Sequence, residues 1–274
     1  MNHIELEVAS RTDAGRVRPF NEDSVAVDAS AGIAVLADGM AERRGAEIAS
    51  RLATTQLLAK LKANSGEMPE RAVREAFSTA NDAICEHSKK DPTTRGMGTT
   101  LVAAWFRGDR VSIAHVGDSR LYRFREGVLE RLTIDHSFVQ EALSAGNLTD
   151  NEARLSQSRH LVTRALGGVD AVAPDLAEHE VKGEDIYLLC SDGLHDLVED
   201  SDIALALEVL QPNLNLAALT LVEMANDRGG LDNVSVALVK VKSRKRETPK
   251  VQQQQPGKKK AGGGGLFGWL QKGK

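Results

Sequence analysis

Between residues 99 and 127 the chain is a series of short β-prone runs cut by glycine-bearing turns. Residues 99–106 are followed by Gly108-Asp109, 111–116 by Gly117-Asp118, and 119–124 by Glu126-Gly127. Runs this short, joined by turns this tight, fold back on themselves and predict an antiparallel meander. A further apolar run, 32–37, ends in Asp38-Gly39, and two more, 186–190 and 234–241, are apolar at nearly every position. An uninterrupted apolar run marks a strand covered on both faces, so the last two are expected at the centre of a sheet. Helical spacing appears elsewhere. Val73, Ala76, Phe77, Ala80 and Ile84 put one stripe on 69–88. Ala218, Leu221, Val222 and Ala225 do the same for 215–227, ahead of Gly229, and 46–62 is rich in Ala and Leu. Strands in hairpins and helices in pairs predict an α+β fold, a sandwich of antiparallel sheets rather than an alternating parallel one.

Composition narrows the class. A chain of 274 residues with 41% apolar and 27% charged residues can bury a core without staples and is not wholly disordered or fibrous. No stretch approaches the ~18 apolar residues of a membrane span, and the N-terminus lacks the basic and apolar regions of a signal peptide, so a cytoplasmic location is expected. Cys85 and Cys190 form no metal-binding or disulfide pattern and read as small buried residues. The net charge of −4 hides a split. Ten Lys/Arg against one Glu put +9 on residues 242–274 and leave −13 on 1–241. An acidic body disfavours nucleic acid as a partner. The segment 242–274, with its Gln and Gly runs, reads as a basic disordered tail after a folded domain at 1–241. It ends in Leu266, Phe267, Trp269 and Leu270 beside lysines, a short anchor expected to dock on a partner.

Four aspartates share one context. Asp38-Gly39 and Asp192-Gly193 follow hydrophobic runs, Asp232-Asn233 precedes one, and Asp118 occupies the turn after another. Any one alone reads as a turn residue. Carboxylates delivered together by rigid strand ends make an all-oxygen site suited to Mg²⁺ or Mn²⁺. In a second cluster, Arg18 and Glu22 are four apart, with Asn21 and Asp23 alongside. A guanidinium beside a divalent site is placed to hold an anionic substrate, since its planar fork matches phosphate.

The order of motifs carries more than any single one. RTDAGRVRPFNEDS, VLADGM, GMGTTL, HVGDSRLY, LTIDHS, LVTRALGG, LLCSDGL and DNVSV follow one another over about residues 5–241. This series closely resembles the metal-dependent serine/threonine protein phosphatases of the type-2C family, in particular its compact bacterial branch. The resemblance implies two stacked antiparallel sheets flanked by helix pairs, an αββα sandwich with the metal site at one end. It implies that Asp38 bridges two Mn²⁺ or Mg²⁺ ions, that the Gly39 carbonyl ligates one, and that Asp192 and Asp232 ligate the other. Asp118, with Asp192, would hold a weaker third ion. Glu22 would act through waters on the metals, Arg18 would bind the substrate phosphate, and Thr99 and Thr100 would be structural. Phosphorylated proteins are the implied substrates and a Ser/Thr kinase the implied opposing partner.

Two stretches depart from the family pattern. Residues 41–47 read Ala-Glu-Arg-Arg-Gly-Ala-Glu where the bacterial pattern continues Gly-Gly-His and later Gly-Glu. Residues 156–160 read Ser-Gln-Ser-Arg-His where a His-Pro is usual. The latter lies in 144–168, which corresponds to the family's mobile flap. His115, His136 and His195 match no metal-ligand spacing and are expected to be structural or on the surface. No GxSxG or Cys-x5-Arg pattern offers a protein nucleophile. The expected chemistry is therefore hydrolysis of phosphoserine and phosphothreonine by a metal-activated water. The alternative is a pseudophosphatase, the same fold serving as a phosphoprotein-binding module, which would show itself by lost ligands. A hydrolase of nucleotides or small phosphoesters is disfavoured by the absence of a basic groove.

Overall fold

The computed structural model describes residues 4–41, 44–149, 152–153, 156, 158, 160–168 and 171–242. The compact unit runs from Met1 to Arg244. Its strands are β1 (Leu6–Asp13), β2 (Asp23–Asp28), β3 (Ile33–Met40), β4 (Gly98–Thr99), β5 (Leu101–Arg107), β6 (Arg110–Val116), β7 (Arg120–Arg125), β8 (Val128–Arg131), β9 (Asp175–Glu180), β10 (Ile186–Cys190) and β11 (Val234–Val241). The helices are α1 (Ala46–Ala63), α2 (Pro69–Lys90), α3 (Phe138–Ser144), α4 (Asp192–His195), α5 (Asp200–Leu210) and α6 (Leu214–Asp227).

Every strand pair is antiparallel. One sheet runs β1-β11-β10-β7-β8; the other runs β2-β3-β5-β6-β9, with β4 on β3. β10 and β11 lie in the interior of the first sheet and all their residues are buried, as their unbroken apolar runs require. Three apolar layers follow. Leu36, Val102, Tyr187 and Val239 pack between the two sheets. Leu57, Phe77 and Ile84 pack under α1 and α2, and Leu207, Leu221 and Leu238 under α5 and α6. The expected αββα sandwich is therefore observed.

Local chemistry accounts for the element ends. Pro69 opens α2 at a position where its missing N–H is not needed. Its stripe lays Val73, Phe77, Ala80 and Ile84 on the sheet. Phe77 is 1% exposed, and truncating such a residue to Ala costs about 3–5 kcal/mol. Asn213 caps α6 by accepting from the Leu216 N–H at 3.1 Å, and Gly229 follows its last turn at φ 118°.

The run 99–106 is not one strand. It breaks at Thr100, because the Thr99 N–H turns to Leu166 while the Thr100 N–H bonds the Asp38 carbonyl at 2.9 Å. β1 and β9 are polar, half-exposed edge strands whose pattern gave no strand signal. The reading of 242–274 as tail and anchor falls on residues that, after Lys242, lie outside those described.

Candidate metal centre

The strands end together at one edge of the sandwich. Asp38 sits near the end of β3, Asp118 in the turn between β6 and β7, Asp192 at the start of α4 just after β10, and Asp232 just before β11. Each is held by its backbone. The Asp38 N–H donates to Thr100 Oγ1 at 2.9 Å, and its carbonyl accepts from Thr99 Oγ1 at 2.7 Å and from the Thr100 N–H. Thr99 and Thr100 are thus the structural residues they were expected to be. Gly117 has φ 102°, and a Cβ there would stand 2.6 Å from Thr100 Cγ2, so only glycine can present Asp118 this way. Arg120 grips Asp135 through Nε and Nη2, at 3.1 and 2.7 Å, and pins the chain just beyond Asp118. Gly39 is equally forced, since a Cβ would lie 2.2 Å from the Ala46 carbonyl oxygen.

A second loop closes on the same edge. Arg18 Nη2 donates to Asp232 Oδ2 at 2.7 Å, and the Arg16 N–H donates to the Gly230 carbonyl at 2.7 Å. Asn233 ties the two loops together. Its Nδ2 donates to the carbonyls of Ala14 and Phe20 at 3.0 and 2.9 Å, and its Oδ1 accepts from the Glu22 N–H at 2.8 Å. The result is a cleft of about 650 Å³ whose lining includes Arg18, Glu22, Asp38, Asp118, Asp192 and Asp232. The seven residues expected to hold metal, water or phosphate, Gly39 included, meet there.

One carboxylate was named in the second cluster but given no role. Asp23 faces Asp38 across the β2–β3 pair and accepts from Ser191 Oγ at 2.8 Å. Its signal was present, since it adjoins Glu22, but nothing local says which side of β2 faces the site.

The electrostatics are those of crowded, poorly hydrated carboxylates. Burial holds Asp38 well above the usual carboxylate range, and Asp23, Asp192, Asp118 and Asp232 add to the rise. Burial pushes Asp118 up to about 8, helped by Asp192 and Asp135. It pushes Asp192 up to about 6 against the pull of His195, and Asp23 up to about 6 against hydrogen bonds from Ser235 and Ser191. Glu22 is raised by burial and eased by Arg18. Asp23 Oδ1 and Asp192 Oδ1 are buried with no hydrogen-bond partner. Oxygen donors at this density, disfavoured as anions and left unpaired, fit divalent cations, which would compensate them.

A family model described as protein phosphatase 2C matches residues 16–218. The chain belongs to the protein phosphatase 2C family. Among curated relatives it is 40% identical over 238 residues to the serine/threonine protein phosphatase PstP of Mycobacterium tuberculosis, covering 87% of this chain and 45% of that protein. It thus spans about half the length of that relative. It is 36% identical over 253 residues to the protein phosphatase PhpP of Streptococcus pneumoniae, covering 88% of this chain and 100% of PhpP. A crystal structure of the M. tuberculosis phosphatase superposes with a TM-score of 0.82 at 39% identity, covering 86% of this chain and 99% of that one. A structure of the PstP catalytic domain with two manganese ions gives 0.79 at 40% identity, covering 87% and 99%. These members of the phosphatase 2C family thus share the sandwich fold with this chain.

Proposed function

We propose that the chain hydrolyses phosphoserine and phosphothreonine in proteins with two Mn²⁺ or Mg²⁺ ions and a weaker third. The observation that carries this reading is the convergence of Asp38, Asp118, Asp192 and Asp232, from four separate strand ends, on one cleft that also holds a guanidinium. Asp38 and the Gly39 carbonyl would hold one ion, Asp38, Asp192 and Asp232 the other, and Asp118 with Asp192 the third. When bound, such ions supply Lewis-acid activation of water and neutralise phosphoryl oxygens. The protein's own part is positioning. Arg18 pairs with Asp232 and is held charged by that hydrogen bond, which burial only partly offsets. A phosphate entering the cleft would take the guanidinium and free Asp232 to ligate. Glu22, fixed through its N–H by Asn233 and through its carbonyl by Ser50 Oγ, would orient water at the edge of the acidic group.

A pseudophosphatase reading needs lost ligands, and Asp38, Asp192 and Asp232 all stand at the cleft. No helix among the described residues is long and apolar enough to cross a membrane. A cytoplasmic setting, a role in signal transduction against a Ser/Thr kinase, and docking through 242–274 on a partner belong to the same proposal. The test is phosphate release from phosphothreonine and phosphotyrosine peptides with Mn²⁺ and with chelator. Release confined to phosphothreonine and to metal supports the reading; release that survives chelation overturns it.

A further inference from the structure

Next to the turn that carries Asp118, two buried histidines stack. His115, near the end of β6, and His136, between β8 and α3, have ring centroids 4.7 Å apart and planes 16° from parallel. With the exposed Asp175, opposite His115 across the β6–β9 pair, they bring three candidate ligand atoms within 4.8 Å of one another. The hydrogen bonds already made there leave no vacancy for a cation. His136 Nδ1 accepts from the Gly117 N–H at 3.1 Å. A neutral imidazole has one lone-pair nitrogen, so its Nε2 carries the proton and faces Asp175 Oδ2 at 3.2 Å as donor. A metal on Nε2 would have to displace that proton and leave an imidazolate. Positive charge is in place as well, since Arg164 Nη1 donates to Asp175 Oδ1 at 3.0 Å and stands 3.3 Å from the same Nε2. His115 is fixed by donating from Nε2 to the Ile134 carbonyl at 2.7 Å. Burial lowers both imidazoles below the usual histidine range, in keeping with neutral rings.

What His136 holds is the backbone of Gly117. Besides the bond to Nδ1, the His136 N–H donates to the Gly117 carbonyl at 3.0 Å. Side chain and main chain of one residue thus fix the peptide planes on both sides of the Gly117 φ of 102°. Glycine has no side chain to restrict its backbone and tolerates many conformations. The two bonds select one, and the second plane leads straight into Asp118. We infer that His136, as the neutral Nε2–H tautomer, is a positioning residue that sets the aim of the Asp118 carboxylate through Gly117. The stacked His115 and the carboxylate of Asp175 set the plane and the tautomer of its ring. The inference rests on the phosphatase reading, in which Asp118 ligates the weaker third ion, and adds to it a histidine that no metal-ligand spacing singled out.

The test uses the full chain. Long-range ¹H–¹⁵N NMR of the metal-free wild type should show His136 with a protonated Nε2 and a bare Nδ1; this readout needs no variant, and a protonated Nδ1 would overturn the inference. Two polar variants separate the ends of the ring. His136→Asn puts an amide oxygen where Nδ1 stood, whereas His136→Gln carries its amide out to the Nε2 position and leaves the Gly117 N–H unpaired. His136→Gln should lower kcat and weaken the weakest Mn²⁺ step by about tenfold or more, the cost of losing an outer partner. His136→Asn should recover most of that loss, although both variants give up the stack on His115. In the Asp118→Ala background His136→Gln should cost nothing further, because the residue it positions is gone. A role confined to folding would instead give losses that multiply. Multiplying losses, or a His136→Gln enzyme with wild-type turnover and Mn²⁺ titration, would overturn the inference and leave the phosphatase reading standing. A wild type that binds Mn²⁺ but releases no phosphate would overturn that reading, while the tautomer and the Mn²⁺ titration of the variants would still decide this one.

Discussion

Asn233 offers the sharpest test of how the site is held together. Its side chain joins residues more than two hundred positions away, accepting from the Glu22 N–H at 2.8 Å and donating to the Ala14 and Phe20 carbonyls at 3.0 and 2.9 Å. It is 4% exposed, so water cannot readily replace those bonds. Asn233→Ala removes three hydrogen bonds and strands their partners. At ~0.5–1.5 kcal/mol each, with part of the desolvation penalty added, the loss is about 2–4 kcal/mol. For a domain of this size that lowers Tm by about 5–15 °C. The same bonds flank Arg18, so the loop carrying the phosphate-binding guanidinium loses its anchor and KM for a phosphopeptide rises several-fold. Thermal unfolding with saturating Mn²⁺ and steady-state kinetics measure both effects. A Tm within about 2 °C of wild type, with KM unchanged, would refute the claim that Asn233 clamps the two loops.

The raised carboxylates make stability depend on pH in a defined direction. Asp23 and Asp192 sit at about 6 and Asp118 at about 8, with Asp38 also raised, so the folded metal-free chain holds protons that the unfolded chain has released. Its stability should fall as pH climbs from ~4 toward 8, and the Tm gained on adding Mn²⁺ should be larger at pH 8 than at pH 5.5; an equal gain would contradict this. Asp38→Asn should abolish turnover yet raise the metal-free Tm at pH 8, because a neutral amide replaces a disfavoured anion; retained turnover would remove Asp38 from the centre. Arg18→Ala should mainly raise KM, as a residue that binds phosphate does, and unchanged KM with lost metal binding would make it structural. Asp118→Ala should lower kcat and shift the metal titration at high concentration; wild-type kinetics would return it to a turn residue.

Much of this was legible because it is local. The stripe on α2 and the unbroken runs of β10 and β11 record burial directly, since an apolar side chain cannot be spared from the core at those spacings. Asp38, Asp118, Asp192 and Asp232 announced themselves by position, each where a strand stops and the backbone is rigid. Gly39 and Gly117 admit no Cβ, so their places beside aspartates were constrained as well. What the tertiary structure alone decided was long-range. Asp23 joined the site through the register that sets it against Asp38, and a shift of one residue would have turned it to the other face. Arg18 met Asp232, and Asn233 reached Glu22, because β1 crosses to pair with β11 and brings the start of the chain to the end of the fold. His160 approached Asp196 only through the packing of a loop on the opposite side. Periodicity reports which face of an element is buried. Which elements meet depends on how two sheets stack, and that energy is spread over the whole interface rather than written at any one residue.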